Sequence, residues 1–159
     1  MKTRSLIGLL LVLPVIAPVR AQEWQSLFDG KSLDGWKASG APGSFKVADG
    51  QILCDGPRSH LFYVGRAGKA DFKNFEFSAE VKTRNGANSG IYFHTAFQDQ
   101  GWPAKGFEAQ ILNVRPTQGD YRENKLTGSL YGLRNIYKSP VTDDEWFTMR
   151  ILVRGKQIQ

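Results

Sequence analysis

The sequence predicts an all-β fold, an antiparallel β-sandwich, and three observations carry that expectation. From Phe75 to Arg84 apolar and polar residues alternate almost without a break, the two-residue period of a half-buried strand. No ten-residue stretch after Gln22 sustains the 3.6-residue apolar period of an amphipathic helix. Most of the 17 glycines fall between β-rich runs, where turns require positive φ.

Taken in order, the chain opens on a leader. Lys2 and Arg4 precede an apolar run from Leu6 to Ile16, and Val19-Arg20-Ala21 places small residues at the −3 and −1 positions of a cleavage site. Residues 1–21 thus read as a secretory signal peptide, with the mature chain starting at Gln22 and exported to the periplasm or secreted. The apolar run is 11 residues long, well short of the roughly 20 that span a bilayer, so no membrane anchor is expected. Residues 22–159 then make one domain. Phe45-Lys46-Val47 and Gln51-Ile52-Leu53 flank Asp49-Gly50, a two-residue hairpin signal. Ile91-Tyr92-Phe93-His94, Phe107 to Ile111 and Trp146 to Val153 supply further strands. Arg154-Gly155-Lys156 reads as a turn and Gln157-Ile158-Gln159 as the start of a return strand, so a sandwich lacking its last strands is expected.

Composition narrows the function. The full chain carries +6, and the loss of Lys2, Arg4 and Arg20 with the leader reduces this to +3, with the remaining cations scattered among acids. Such a surface does not call for a nucleic-acid partner. Cys54 is the lone cysteine and cannot form an intramolecular disulfide; its ordinary reading is a small hydrophobe. No phosphate loop, Gly-x-Ser-x-Gly elbow, zincin motif or paired-cysteine metal signature is present. With His60 and His94 as the only histidines, a multi-histidine zinc site is excluded.

Strand parity gives the candidate site. If Ile91, Phe93, Phe107, Ala109 and Ile111 point into the core, then Tyr92, His94, Glu108 and Gln110 point to the other face. The same rule sends Glu80, Lys82 and Arg84 outward from their own strand, and adjacent strands would join them to Glu108. A solvated outer face is the ordinary reading of such a pattern. Tyr92, His94 and Gln110 are nonetheless large and weakly charged for that role, and Asn85 to Gly90, with Asn88 at its centre, suits a turn presenting backbone to a ligand. His60 lies in a loop-like run after Gly56-Pro57. Trp36, Trp102 and Tyr121 sit in Gly- or Pro-bearing loops. Trp36 could simply plug an end of the sandwich, whereas Trp102 is placed to rim a sugar site. Arg115, Arg122 and Lys125 read as solvated.

These residues resemble a known family. Trp24 to Trp36 is similar to the opening signature of the 3-keto-disaccharide hydrolase domain, Phe45 to Leu53 to its first hairpin, and Asn88 to His94 to its central strand. Gly106 to Asn113 is similar to the strand carrying its Glu and Gln, and Thr127 to Gly132, with Glu145-Trp146, extends the match. Members commonly have Arg at the place of His94 and Trp at that of Phe45, and they continue for some dozens of residues further. The resemblance implies a concanavalin A-like jelly roll and cleavage of glycosides already oxidised at C3 in bacterial sugar catabolism.

A ketone at C3 acidifies the C2 hydrogen, so the glycosidic oxygen can leave from C1 by β-elimination, with water added afterwards. That route needs a base, an oxyanion partner and an acid. Glu108 is the expected base, His94 or Arg84 the oxyanion partner, and Tyr92 or Tyr131 the donor to the leaving oxygen. Asn88, Gln110 and Trp102 would complete substrate binding. A single divalent metal on Glu108 and His94 could replace one donor. An ordinary two-carboxylate glycosidase would need a second acid near Glu108, and Glu80 is the partner in view. The alternative is a lectin-like module that binds sugar on the same face and leaves it intact.

Overall fold

The alternation read from the sequence becomes antiparallel pairing in the computed structural model, which describes residues 24–66, 70–115 and 123–159. The leader, Tyr121 and Arg122 lie outside the described residues. Strands β1 (Trp36–Ser39) and β4 (His60–Tyr63) pair with Trp36 opposite Tyr63 and Ser39 opposite His60. Strands β2 (Phe45–Ala48) and β3 (Gln51–Cys54) form the expected hairpin. Asp49 and Gly50 at its tip have φ of 51° and 72°, the double positive φ of a type I′ turn.

Strand β5 (Phe75–Lys82) pairs along its whole length with β8 (Trp146–Arg154), and β9 (Gln157–Ile158) returns along the end of β8. Strand β6 (Ser89–Phe93) pairs with β7 (Phe107–Ile111), Tyr92 facing Glu108 directly. On the other edge of β7 the segment 127–131 runs antiparallel: the Tyr131 amide donates to the Glu108 carbonyl, the Gln110 amide to the Ser129 carbonyl, and Leu130 bridges Ala109. The described residues are therefore all-β, a short 3-10 turn at Pro42–Ser44 apart. No helix among them is long and apolar enough to cross a membrane.

The core lies between β5-β8 and β6-β7. Phe93, Ala109 and Ile111 from one side meet Met149, Ile151 and Val153 from the other, with Phe75, Phe77, Val81, Ile91, Phe107 and Leu130 packed around them. Every second residue of β7 and β8 enters this layer, and burying each large apolar side chain contributes about 1.5–3 kcal/mol. Two sheets packed face to face over one apolar layer define a β-sandwich, the arrangement of a jelly roll.

This layering corrects one expectation. Strand β5 neighbours β8, not β6, so the polar side of β5 lies on the outer surface of the sheet opposite Glu108. Glu80 is occupied there by the Thr148 hydroxyl at 2.6 Å, and Glu76 pairs with Arg150. Trp36 anchors the opening segment: its indole N–H donates to the Leu27 carbonyl at 2.9 Å and its ring meets Tyr63 edge-on.

Candidate active site

With Phe107, Ala109 and Ile111 turned into the core, Glu108 and Gln110 project from the outer face of β7, and Tyr92 joins them from β6. The site starts from Glu108, half-buried, whose carboxylate accepts a hydrogen bond from the Tyr92 hydroxyl. Its side chain lies over Gly90. A Cβ at Gly90 would stand 2.7 Å from Glu108 Cγ and 2.8 Å from Cδ, so the bare glycine is what admits the carboxylate to this position. Gln110 supports it from the other side. With its amide nitrogen turned to the acceptors it donates to the Ser89 carbonyl at 3.0 Å and to Glu108 Oε1 at 3.3 Å, and it faces Asn88 at 3.2 Å. Gln110 is 2% exposed, so it buttresses Glu108 and does not meet a ligand directly, contrary to the sequence expectation.

On the far edge of β7 stands a second carboxylate that the sequence reading passed over. Glu123 is 2% exposed. It accepts from the Tyr131 hydroxyl at 2.7 Å and from Lys125 Nζ at 3.0 Å, and Lys125 Nζ lies 3.4 Å from the Tyr131 oxygen. Lys125, expected to be solvated, is thus held against Glu123 and the Tyr131 ring. On the near edge, His60 of β4 meets Tyr92 edge-on at 5.9 Å and Trp102 at 5.4 Å, and Arg58 lies over the Trp102 ring. A strip results across the sheet, running from Trp102 through His60, Tyr92, Glu108 and Tyr131 to Glu123 and Lys125.

The strip has a definite electrostatic character. Burial, and secondarily the Glu123 charge, hold the Glu108 carboxyl above the ordinary carboxylate range, although the Tyr92 hydrogen bond acts the other way. Burial and the adjoining Glu108 push the Tyr92 hydroxyl well above the usual phenol range, so it remains a donor at neutral pH. Burial and the Arg58 charge lower His60, which favours its neutral form. A carboxyl that titrates nearer neutrality, beside fixed donors and one cation, can exchange a proton with a substrate carbon acid.

Two expected members are not brought here. His94 follows the last residue of β6 at a φ of 54°, and its exposed ring rests against Phe75, Phe93 and Phe107, a ring nitrogen 3.1 Å from the Lys73 carbonyl. The alternation that gave it the parity of Tyr92 ends one residue earlier. A metal shared by His94 and Glu108 does not fit this geometry, and the described residues contain no group of three or more His, Cys, Asp or Glu able to hold one. Arg84 is exposed beyond the end of β5, and among the described residues no hydrogen bond or ion pair links it to Glu108 or Tyr92. Asn88 lies beside Gln110, and Trp102 is 58% exposed. His60 and Glu123 were missed because both lie outside any long alternating run.

A jelly-roll-type sandwich carrying a carboxylate between tyrosines on one sheet face is the class that fold and site define. The family described as the 3-keto-alpha-glucoside-1,2-lyase-like domain matches residues 23–159, and the chain belongs to it. The chain is also similar to a protein named 3-keto-disaccharide hydrolase from Bacteroides thetaiotaomicron, with 35% identity over 83 residues. That alignment covers 48% of this chain and 29% of that protein, so the chain spans well under half the length of this relative.

Proposed function

We propose that the chain cleaves glycosides bearing a ketone at C3, with Glu108 as the base that takes the C2 proton. The carrying observation is the half-buried Glu108 carboxyl, hydrogen-bonded by Tyr92 and flanked by the Tyr131–Glu123–Lys125 group. The C2–H bond breaks, its electron pair delocalises onto the C3 oxygen, and the Lys125 ammonium with the Tyr131 hydroxyl supplies positive potential to that oxygen. The pair then forms C1=C2 as the C1–O bond breaks, and the departing oxygen takes a proton on the Tyr92 side. Addition of water across C1=C2 yields the free 3-keto sugar and makes the net reaction a hydrolysis. Glu123 replaces Glu80 as the neighbouring carboxylate, and because it is buried under Tyr131 and Lys125 it serves to position them. We also propose that the protein is exported, on the strength of residues 1–21; a mature N-terminus at Gln22 is expected from sequencing the periplasmic protein.

Incubation with an unoxidised disaccharide and its 3-keto counterpart tests the reading. Release of sugar from the 3-keto compound alone is expected. Binding of both with neither cleaved would identify a lectin-like module instead.

A further inference from the structure

The strip is asymmetric about Glu108, and the asymmetry assigns the two halves of a substrate. On the Tyr131 side a single tyrosine is joined to the Glu123–Lys125 ion pair. On the Tyr92 side the groups are aromatic: His60 against Tyr92, then Trp102 against His60, with Arg58 over the indole at 5.3 Å. Trp102 leaves 58% of its surface open in a loop that is fixed from within. The Gln98 side-chain amide donates to the carbonyls of Gln100 (2.8 Å) and Trp102 (2.5 Å) and accepts from the Ala104 amide, while the Asp99 carbonyl accepts from the Gly40 amide of the β1 end. The fixed backbone, with His60 and Arg58 packed on the indole, lowers the ordering cost of binding a flat partner at the exposed part of the ring.

Building on the elimination reading above, we propose that Trp102, His60 and Arg58 form a subsite for the sugar ring on the leaving side of the scissile bond. The C–H face of a pyranose packs on the indole, and Arg58 donates to its hydroxyls. The keto ring then lies across Glu108 toward Tyr131 and Lys125, the half that offers a cation to its oxygen. This subsite discriminates a glycosyl leaving group from a small alkoxide, and the chain prefers disaccharides for that reason.

Equilibrium binding tests the subsite independently of turnover. A 3-keto disaccharide and the corresponding methyl 3-keto glycoside are titrated into Glu108→Gln, and into the same protein carrying Trp102→Ala or Arg58→Ala. The disaccharide is expected to bind about tenfold tighter than the methyl glycoside, and Trp102→Ala is expected to erase that gap while leaving methyl glycoside affinity within twofold. Arg58→Ala should narrow it, and thermal melting checks that each variant is folded. A gap that survives Trp102→Ala, an absent gap, or an equal loss for both ligands overturns the subsite. Cleavage by the wild-type chain is scored separately. A gap erased by Trp102→Ala in a chain that cleaves neither compound upholds the subsite and sinks the elimination reading; a surviving gap in a chain that cleaves does the reverse.

Discussion

Glu108 owes its chemistry to its neighbours more than to its own carboxyl. Burial and Glu123 raise its pKa above the ordinary value of 4.5, so in the folded protein it binds its proton more tightly than in the unfolded chain. A group of that kind makes stability fall as pH rises from its unfolded to its folded pKa, because the native state holds more protons across that window. Glu108→Gln removes the loss. Its thermal midpoint, measured against the wild type, should therefore be higher at pH 7 than at pH 4, while sugar release at pH 7 drops by about 10²–10⁴-fold. In the wild type the acid limb of kcat/KM should have its midpoint above 4.5. The two histidines separate at this scale too. His60→Ala is expected to lower kcat/KM for a 3-keto disaccharide by about tenfold. His94→Ala should leave activity within twofold and cost about 1–2 kcal/mol in urea unfolding, since alanine tolerates a φ of 54° poorly and loses the ring contacts with Phe75 and Phe107. Activity within twofold of wild type in His60→Ala would remove His60 from the site.

At the scale of elements, β6 and β7 were legible in the sequence because a strand's period is short and local. Tyr92, Glu108 and Gln110 share the outer face, as alternation required. What alternation cannot carry is which strand lies next to which. Strand β5 reaches across the sequence to β8, Glu80 facing Thr148 at a separation of 68 positions along the chain, and that pairing removes Glu80, Lys82 and Arg84 from the site. Nor does periodicity report a loop residue such as Glu123 or the first residue of a four-residue strand such as His60, so both emerged only once the chain was folded. The β6–β7 unit yields a direct test. Gly90→Ala should displace Glu108 without disturbing the fold, because the backbone there is not in the left-handed region and the atoms nearest the added methyl all belong to the flexible Glu108 side chain. A loss of about 10²-fold in kcat with an unchanged melting midpoint is expected; full activity would show that the carboxylate need not sit there. The far end of β7 is secured differently. Asn113 donates to the Thr83 hydroxyl (2.7 Å) and the Thr142 carbonyl (3.0 Å) and accepts from the Thr127 hydroxyl (2.6 Å). Its replacement by Ala strands buried partners from three segments and should cost about 2–3 kcal/mol by urea titration, with little change in KM.

For the whole molecule, the sandwich divides its labour between faces. One apolar layer joins β5-β8 to β6-β7 and holds the fold, so the outer face of β6-β7 is free to place a half-buried carboxylate between aromatic and charged flanks. In the proposed reaction this face removes the C2 proton and does not attack the glycosidic carbon directly. A 3-keto disaccharide carrying deuterium at C2, cleaved by the wild-type chain in ordinary water and analysed by mass spectrometry at early times, tests that most directly. A control of C2-deuterated 3-keto sugar alone over the same interval corrects for spontaneous exchange. Elimination by Glu108 predicts that the released sugar has lost its deuterium to solvent, and that Glu108→Gln releases almost none. A product that keeps its C2 deuterium would contradict the account, because a direct displacement at C1 leaves that bond intact.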